Sequence, residues 1–150
     1  VFSGILMAPE KIDSFLSELK SLESKYGIDL PVFVDFSSDY ISLHPTFDSK
    51  KVSERQKILQ LLVEISQIVN KYEGSFAGFG GDGRLKANFI YKNLPDDEKQ
   101  LYAKVKQIFD PAGIFNPGIK TEAQPKELAA ELNAWCKLRN QAWYWVKIGL

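Results

Sequence analysis

Two stretches with helical apolar spacing, each bracketed by short β-prone runs, restrict this chain to few folds. In Pro9 to Gly27 the apolar residues Ile12, Phe15, Leu16, Leu19 and Leu22 recur every three or four positions. Pro9 opens that stretch where a missing amide donor costs little, and Gly27 closes it. Val52 to Tyr72 repeats the pattern through Ile58, Leu61, Leu62, Ile65, Ile68 and Val69, long enough for about six helical turns. Val1 to Met7 is an apolar, β-compatible run ahead of the first helix. Between the helices lie Pro31 to Phe36 and Tyr40 to Thr46, separated by the turn formers Ser37, Ser38 and Asp39, which predicts a hairpin.

A further short strand is expected within Gly74 to Gly83, around Phe76, Ala77 and Phe79, running straight into a glycine-rich loop. The predicted class is therefore α+β, in the ferredoxin-like order β-α-β-β-α-β, with two helices covering one face of an antiparallel sheet. Arg84 to Asn93 follows, then a helix from about Pro95 to Phe109, whose start carries Asp96, Asp97 and Glu98 where carboxylates suit the helix dipole. A last helix is expected from about Pro125 to Ile148. The division that results is a domain over residues 1–120 and a helical extension over 121–150, docked on that domain or on a partner.

Composition matters here mainly for what it removes. Nineteen basic residues balance nineteen acidic ones, so no basic field exists to hold a nucleic-acid backbone. The single Cys136 excludes an intrachain disulfide and a cysteine-held iron–sulfur cluster, which fits a reducing compartment. No run approaches the roughly 18 to 20 apolar residues that span a bilayer, so a soluble, cytoplasmic chain without a transmembrane segment is expected. The start at Val1, already in strand-like sequence and without a Met, predicts a piece of a longer protein.

Phe109 to Gly118 reads Phe-Asp-Pro-Ala-Gly-Ile-Phe-Asn-Pro-Gly. Asp110 and Asn116 each precede a proline, which biases both toward extended backbone, and their short polar side chains can bond nearby amides. By local chemistry this is a helix stop with a tight turn, or a rigid loop that docks on something. Gly78 to Arg84, reading Gly-Phe-Gly-Gly-Asp-Gly-Arg, could cradle an anion, but it lacks the residues of a P-loop and the position of a dinucleotide fingerprint. On local grounds a plain tight loop is the preferred reading.

Both segments resemble signatures of the FAD-linked oxidases of the glycolate oxidase subunit and D-lactate dehydrogenase type. The first is similar to their Asp-Pro-x-Gly-(Ile/Leu)-x-Asn-Pro-Gly-Lys, although here Ile119 follows the glycine and Lys120 comes one later. The second, within Tyr72 to Ile90, is similar to Tyr-Gly-Gly-(small)-x-Ser-Gly-Glu-His-Gly-Asp-Gly-Arg. Gly74, Gly78, Gly81, Asp82, Gly83 and Arg84 agree with it, while Phe79 and Gly80 replace the Glu-His pair. A third likeness covers Phe33 to Asp48, where Ser37, Pro45 and Asp48 agree with the family's two-strand element. Asp35 and Ser42 replace its two histidines, and His44 stands where Arg is common.

The resemblance implies the C-terminal cap, or substrate, domain of an FAD-dependent oxidoreductase acting on a 2-hydroxy acid or similar substrate. Its partner would be an N-terminal FAD-binding domain outside this sequence, without which the chain should neither retain FAD nor turn over substrate. It also implies that Asn116, Pro117 and Gly118 lie near the flavin and that Phe79, Gly80, Gly81, Asp82 and Gly83 form a substrate loop.

A metal held by imidazoles and a carboxylate needs about three converging ligands, and one histidine with scattered aspartates does not supply them, so no metal site is expected. General-base work wants a group that ordinarily titrates near neutrality, which leaves His44; a strand-end imidazole beside Pro45 with no catalytic role is the plainer reading. Arg84 is either a surface ion-pair partner or a bidentate clamp for a substrate carboxylate. Asp82 reads as a turn residue and Asn116 equally as a cap. In the final helix Leu128, Leu132, Trp135, Leu138 and Ala142 form a stripe, and Trp143, Tyr144 and Trp145 spill beyond it. That excess suggests contact with the flavin domain, a second copy or a membrane surface, and mixed charge on the polar face argues against the last. The four replaced residues Asp35, Ser42, Phe79 and Gly80 suit either a changed substrate or a non-catalytic binding module descended from the oxidase domain. A ferredoxin-like small-ligand sensor is supported by fold analogy alone.

Overall fold

The computed structural model describes residues 2–78, 82–119, 121, 130, 133 and 134. Their elements are β1 (Phe2–Leu6), α1 (Pro9–Tyr26), β2 (Val32–Asp35), β3 (Tyr40–Leu43), α2 (Val52–Lys71), α3 (Gly83–Asn93) and α4 (Asp96–Phe109). The hairpin forms where the turn residues predict it, with Asp39 at a φ of 52°. β3 is central: it pairs antiparallel with β2 from Val32 opposite Leu43 to Asp35 opposite Tyr40, and antiparallel with β1 on its other side. β1 slips register between Ser3 and Ile5.

The fold is α+β, but among the described residues of the fourth strand expected within Gly74 to Gly83 only one bridge forms. Ser75 exchanges backbone bonds of 2.9 and 2.8 Å with Leu6, and the Gly78 amide reaches the Gly4 carbonyl at 2.9 Å. The segment lies on the free edge of β1 without extending the ladder, because glycine weakens a strand and leaves no side chain to pack. Gly78 is nonetheless required by close approach: a Cβ there would stand 2.5 Å from Leu6 Cγ and 2.9 Å from the Gly4 carbonyl oxygen.

Pleating sends Ile5, Ile41 and Leu43 to one face, where they are fully buried with Phe15 and Leu19 of α1 and Ile58, Leu61, Leu62 and Ile65 of α2. Each such side chain contributes roughly 1.5–3 kcal/mol through burial. The two helices run antiparallel and are tied by a repeated device. Lys25 Nζ and the Tyr26 hydroxyl donate to Glu64 at 2.7 and 2.5 Å, while Lys71 Nζ and the Tyr72 hydroxyl donate to Glu18 at 2.5 and 2.7 Å. Phe15 meets the Tyr72 ring edge-on at 6.4 Å.

α3 is fastened by Phe89 against Phe76, ring centres 5.9 Å apart, and by an exchange of amide bonds between Asn93 and Asn70. α4 has no buried residue, and Leu101, Val105, Ile108 and Phe109 form an exposed apolar stripe along it. The final helix expected at about Pro125 to Ile148, and with it the 121–150 extension and a dimer contact through its aromatic residues, lies outside the described residues apart from Thr121 and the helical Ala130, Asn133 and Ala134.

Candidate functional site

The loop after α4 is built around Asp110, which is buried although it sits on the surface of the domain. Its two carboxylate oxygens accept the amides of Ile114 and Phe115 at 2.9 and 2.8 Å. Lys106, one helical turn earlier, donates its ammonium both to that carboxylate and to the Phe115 carbonyl. The Lys106 ammonium, followed by the two amides, holds the Asp110 carboxyl below the ordinary carboxylate range. Every bond described for the loop runs within residues 106–119. The knot leaves Asn116 exposed at a φ of 46°, followed by exposed Pro117 and half-buried Gly118 at a φ of 76°. Lys106, Asp110 and Gly118 contribute to the wall of a cavity of about 310 Å³ between α4 and the loop.

The second constellation lies on the face of the sheet opposite α1 and α2. Phe33, Tyr40 and Leu6 alternate with the core residues of their strands, and Phe33 is 61% exposed. With Asp35, Ser38 and Gly78 they line a cavity of about 380 Å³. Asp35 is engaged by the hairpin turn: the Ser37 hydroxyl and amide and the Ser38 hydroxyl donate to it at 2.6, 2.9 and 2.9 Å. Those bonds, the Ser37 hydroxyl foremost, hold its carboxyl below the ordinary range and keep it ionised. Ser42 is buried on this face, and its Oγ shares a 2.9 Å hydrogen bond with Nε2 of exposed His44, whose own amide donates to the Pro31 carbonyl.

Of the glycine-rich segment, Phe79, Gly80 and Gly81 lie outside the described residues. Asp82 is buried immediately before α3, and its side chain does not cap that helix. Gly83 opens α3 at a φ of 55° and Arg84 follows in the first turn. Lys106 was absent from the candidates drawn from the sequence; its spacing of four residues from Asp110 along a helix is the signal that finds it. Among the described residues no helix is long and apolar enough to cross a membrane, and no group of three or more His, Cys, Asp or Glu side chains is placed to hold a metal ion.

The described residues thus form an α+β domain with an aromatic-lined sheet face and a knotted exit loop. Over residues 5–119 the sequence matches the family described as FAD linked oxidases, C-terminal domain, and the chain belongs to that family. Relatives include the glycolate oxidase subunit GlcD of Escherichia coli strain K12, 31% identical over 105 residues that make up 69% of this chain and 21% of that protein. GlcD of Bacillus subtilis strain 168 is 26% identical over 110 residues, covering 72% of this chain and 23% of the relative. A D-lactate dehydrogenase of Anaerostipes hadrus is 23% identical over 115 residues, 76% of this chain and 24% of the relative. The matches thus span about a quarter of the length of these curated relatives. FAD is the cofactor that the family implies for the full-length protein.

Proposed function

We propose that this chain is the substrate-side domain of an FAD-dependent oxidoreductase, completed by an FAD-binding domain outside the sequence. The observation that carries the reading is the sheet face opposite α1 and α2, where Phe33 is 61% exposed, next to the exposed Phe36 of the following turn. A domain that folds around one face and leaves aromatic rings on the other has a partner for them. The residues present fit one side of a flavin: the aromatic-lined cavity and the exposed turn at Asn116, Pro117 and Gly118 would lie against its ring system, which supplies a two-electron acceptor when bound.

His44 is the residue of this face suited to take the proton of a substrate hydroxyl, with Ser42 fixing its ring through their hydrogen bond. Arg84 is the second candidate, as a planar donor to substrate oxygens. The relatives are named for glycolate and D-lactate, so 2-hydroxy acids are the first substrates to try, beside alcohols and amines. The deciding experiment is to purify the complete protein, record its flavin spectrum and add such a panel without oxygen. Bleaching by any member supports an oxidoreductase. A protein without flavin, or with flavin that none reduces, favours the second reading, a non-catalytic binding module. That alternative draws on Asp35, whose carboxylate is committed to its own turn rather than free for chemistry.

A further inference from the structure

We infer that the cavity of about 380 Å³ on the sheet face takes the side chain of the substrate, and selects 2-hydroxy acids with an aromatic or long apolar side chain over glycolate and lactate. The inference rests on that face being the substrate side. Tyr40, Ser42 and His44 succeed one another along β3 and just past its end, where the His44 amide continues the ladder on the Pro31 carbonyl at 2.9 Å. Phe33 stands directly across from Ser42 in the β2–β3 register, and Asp35 directly across from Tyr40. From the imidazole toward the hairpin turn, the face therefore runs from the Ser42–His44 hydrogen bond to the Phe33 ring. It continues into the cavity whose apolar walls are Leu6, Phe33 and Tyr40.

That order gives a bound hydroxy acid a direction. Tyr40 and His44 are about 13 Å apart along the strand, which separates a carboxylate held beside the imidazole from the Asp35 charge by more than about a Debye length. The other end of the molecule points at the cavity. His44 and Phe33 are diagonal neighbours across the strand pair, about 7–8 Å apart. Glycolate has no carbon beyond the one that bears its hydroxyl and lactate has a single methyl, so neither spans that distance. A benzyl group, or a chain of about four to six carbons, does. Laid on Phe33, which is 61% exposed, such a group removes apolar surface from water on both partners. Burial of a side chain of that size corresponds to about ten- to 150-fold in binding.

The test compares glycolate, D-lactate and D-3-phenyllactate as reductants of the flavin in the complete protein without oxygen. D-3-phenyllactate is expected to exceed D-lactate by at least about tenfold in the second-order rate constant of reduction. Phe33→Ala should shrink that ratio to about twofold, and Phe33→Leu should keep most of it. Phe33 is not part of the buried core, so its truncation leaves the fold intact. Glycolate or D-lactate reacting as fast as D-3-phenyllactate, or a ratio that Phe33→Ala does not move, would overturn the inference while the proposed function stands. If none of the three reduces the flavin, the proposed function fails and binding alone decides the inference. On this 150-residue chain, labelled with nitrogen-15, D-3-phenyllactate must then move the Leu6, Tyr40 and Gly78 amides at about tenfold lower concentration than D-lactate. Silence of those amides, or an equal response to both acids, sinks it.

Discussion

Asp110 does in this chain what a disulfide or a metal does in others: it closes a loop that has no core of its own. Removing its carboxylate in Asp110→Ala leaves the Ile114 and Phe115 amides and the Lys106 ammonium without their acceptor. The expected result is at least about tenfold faster hydrogen exchange at those two amides, measured by NMR, with exchange in α1 and α2 unchanged. Lys106→Arg should retain most of the protection and Lys106→Met should not. At His44 the proposal is equally specific. If its imidazole takes the substrate proton, His44→Gln in the complete protein lowers kcat by about a hundredfold and leaves flavin content intact. An unchanged kcat would make the residue a strand end and nothing more. The loop was legible in sequence as a constrained turn, because two X-Pro steps and two glycines admit little else. Its fastening was not, since the Phe115 carbonyl reaches Lys106 only once the turn has folded back.

At the level of elements, α1 and α2 follow directly from apolar spacing, and the hairpin follows from Ser37, Ser38 and Asp39. The last strand did not form a ladder, because the glycines that let Gly78 pass within contact of Leu6 also deny it side chains. Gly78→Ala should therefore cost about 1–3 kcal/mol, read from urea unfolding, by forcing Leu6 or the backbone of Gly4 to move. The helix pair predicts a pH profile. Bonds from Lys71 and Tyr72 depress the Glu18 carboxyl, and bonds from Lys25 and Tyr26 depress that of Glu64, below the ordinary value of 4.5. Their stabilisation is complete above that value and is lost as pH falls through the lower folded values. Lys25, Lys71, Tyr26 and Tyr72 are shifted upward by the same carboxylates, so their contribution is complete below about pH 10 and fades above it. Thermal melts should show a plateau between these limits. The double variant Glu18→Gln with Glu64→Gln should flatten both limbs, whereas an unchanged acid limb would place the sensitivity elsewhere.

Among the described residues two groups of large apolar side chains are exposed: Phe33 on the sheet face with Phe36 in the turn that follows it, and the stripe of α4 continued by Ile114 and Phe115. Ile108, 73% exposed, is the sharper probe. Ile108→Lys should leave the stability of this chain within about 0.5 kcal/mol, because it removes no buried contact. It should weaken association with a separately produced FAD-binding portion of the same protein by about tenfold, measured by calorimetry, if that stripe belongs to the contact. Equal association by variant and native chain would assign the stripe to another partner.

The knot around Asp110 also bears on inheritance. Because its described bonds all fall between Lys106 and Ile119, the turn is specified by one short stretch of sequence, and none of those bonds comes from the sheet. Such a phrase is portable. It can pass through loss, exchange or redesign of the rest of the domain and still present the same turn, and a peptide spanning α4 and the loop is the smallest graft that should carry it to a foreign helix.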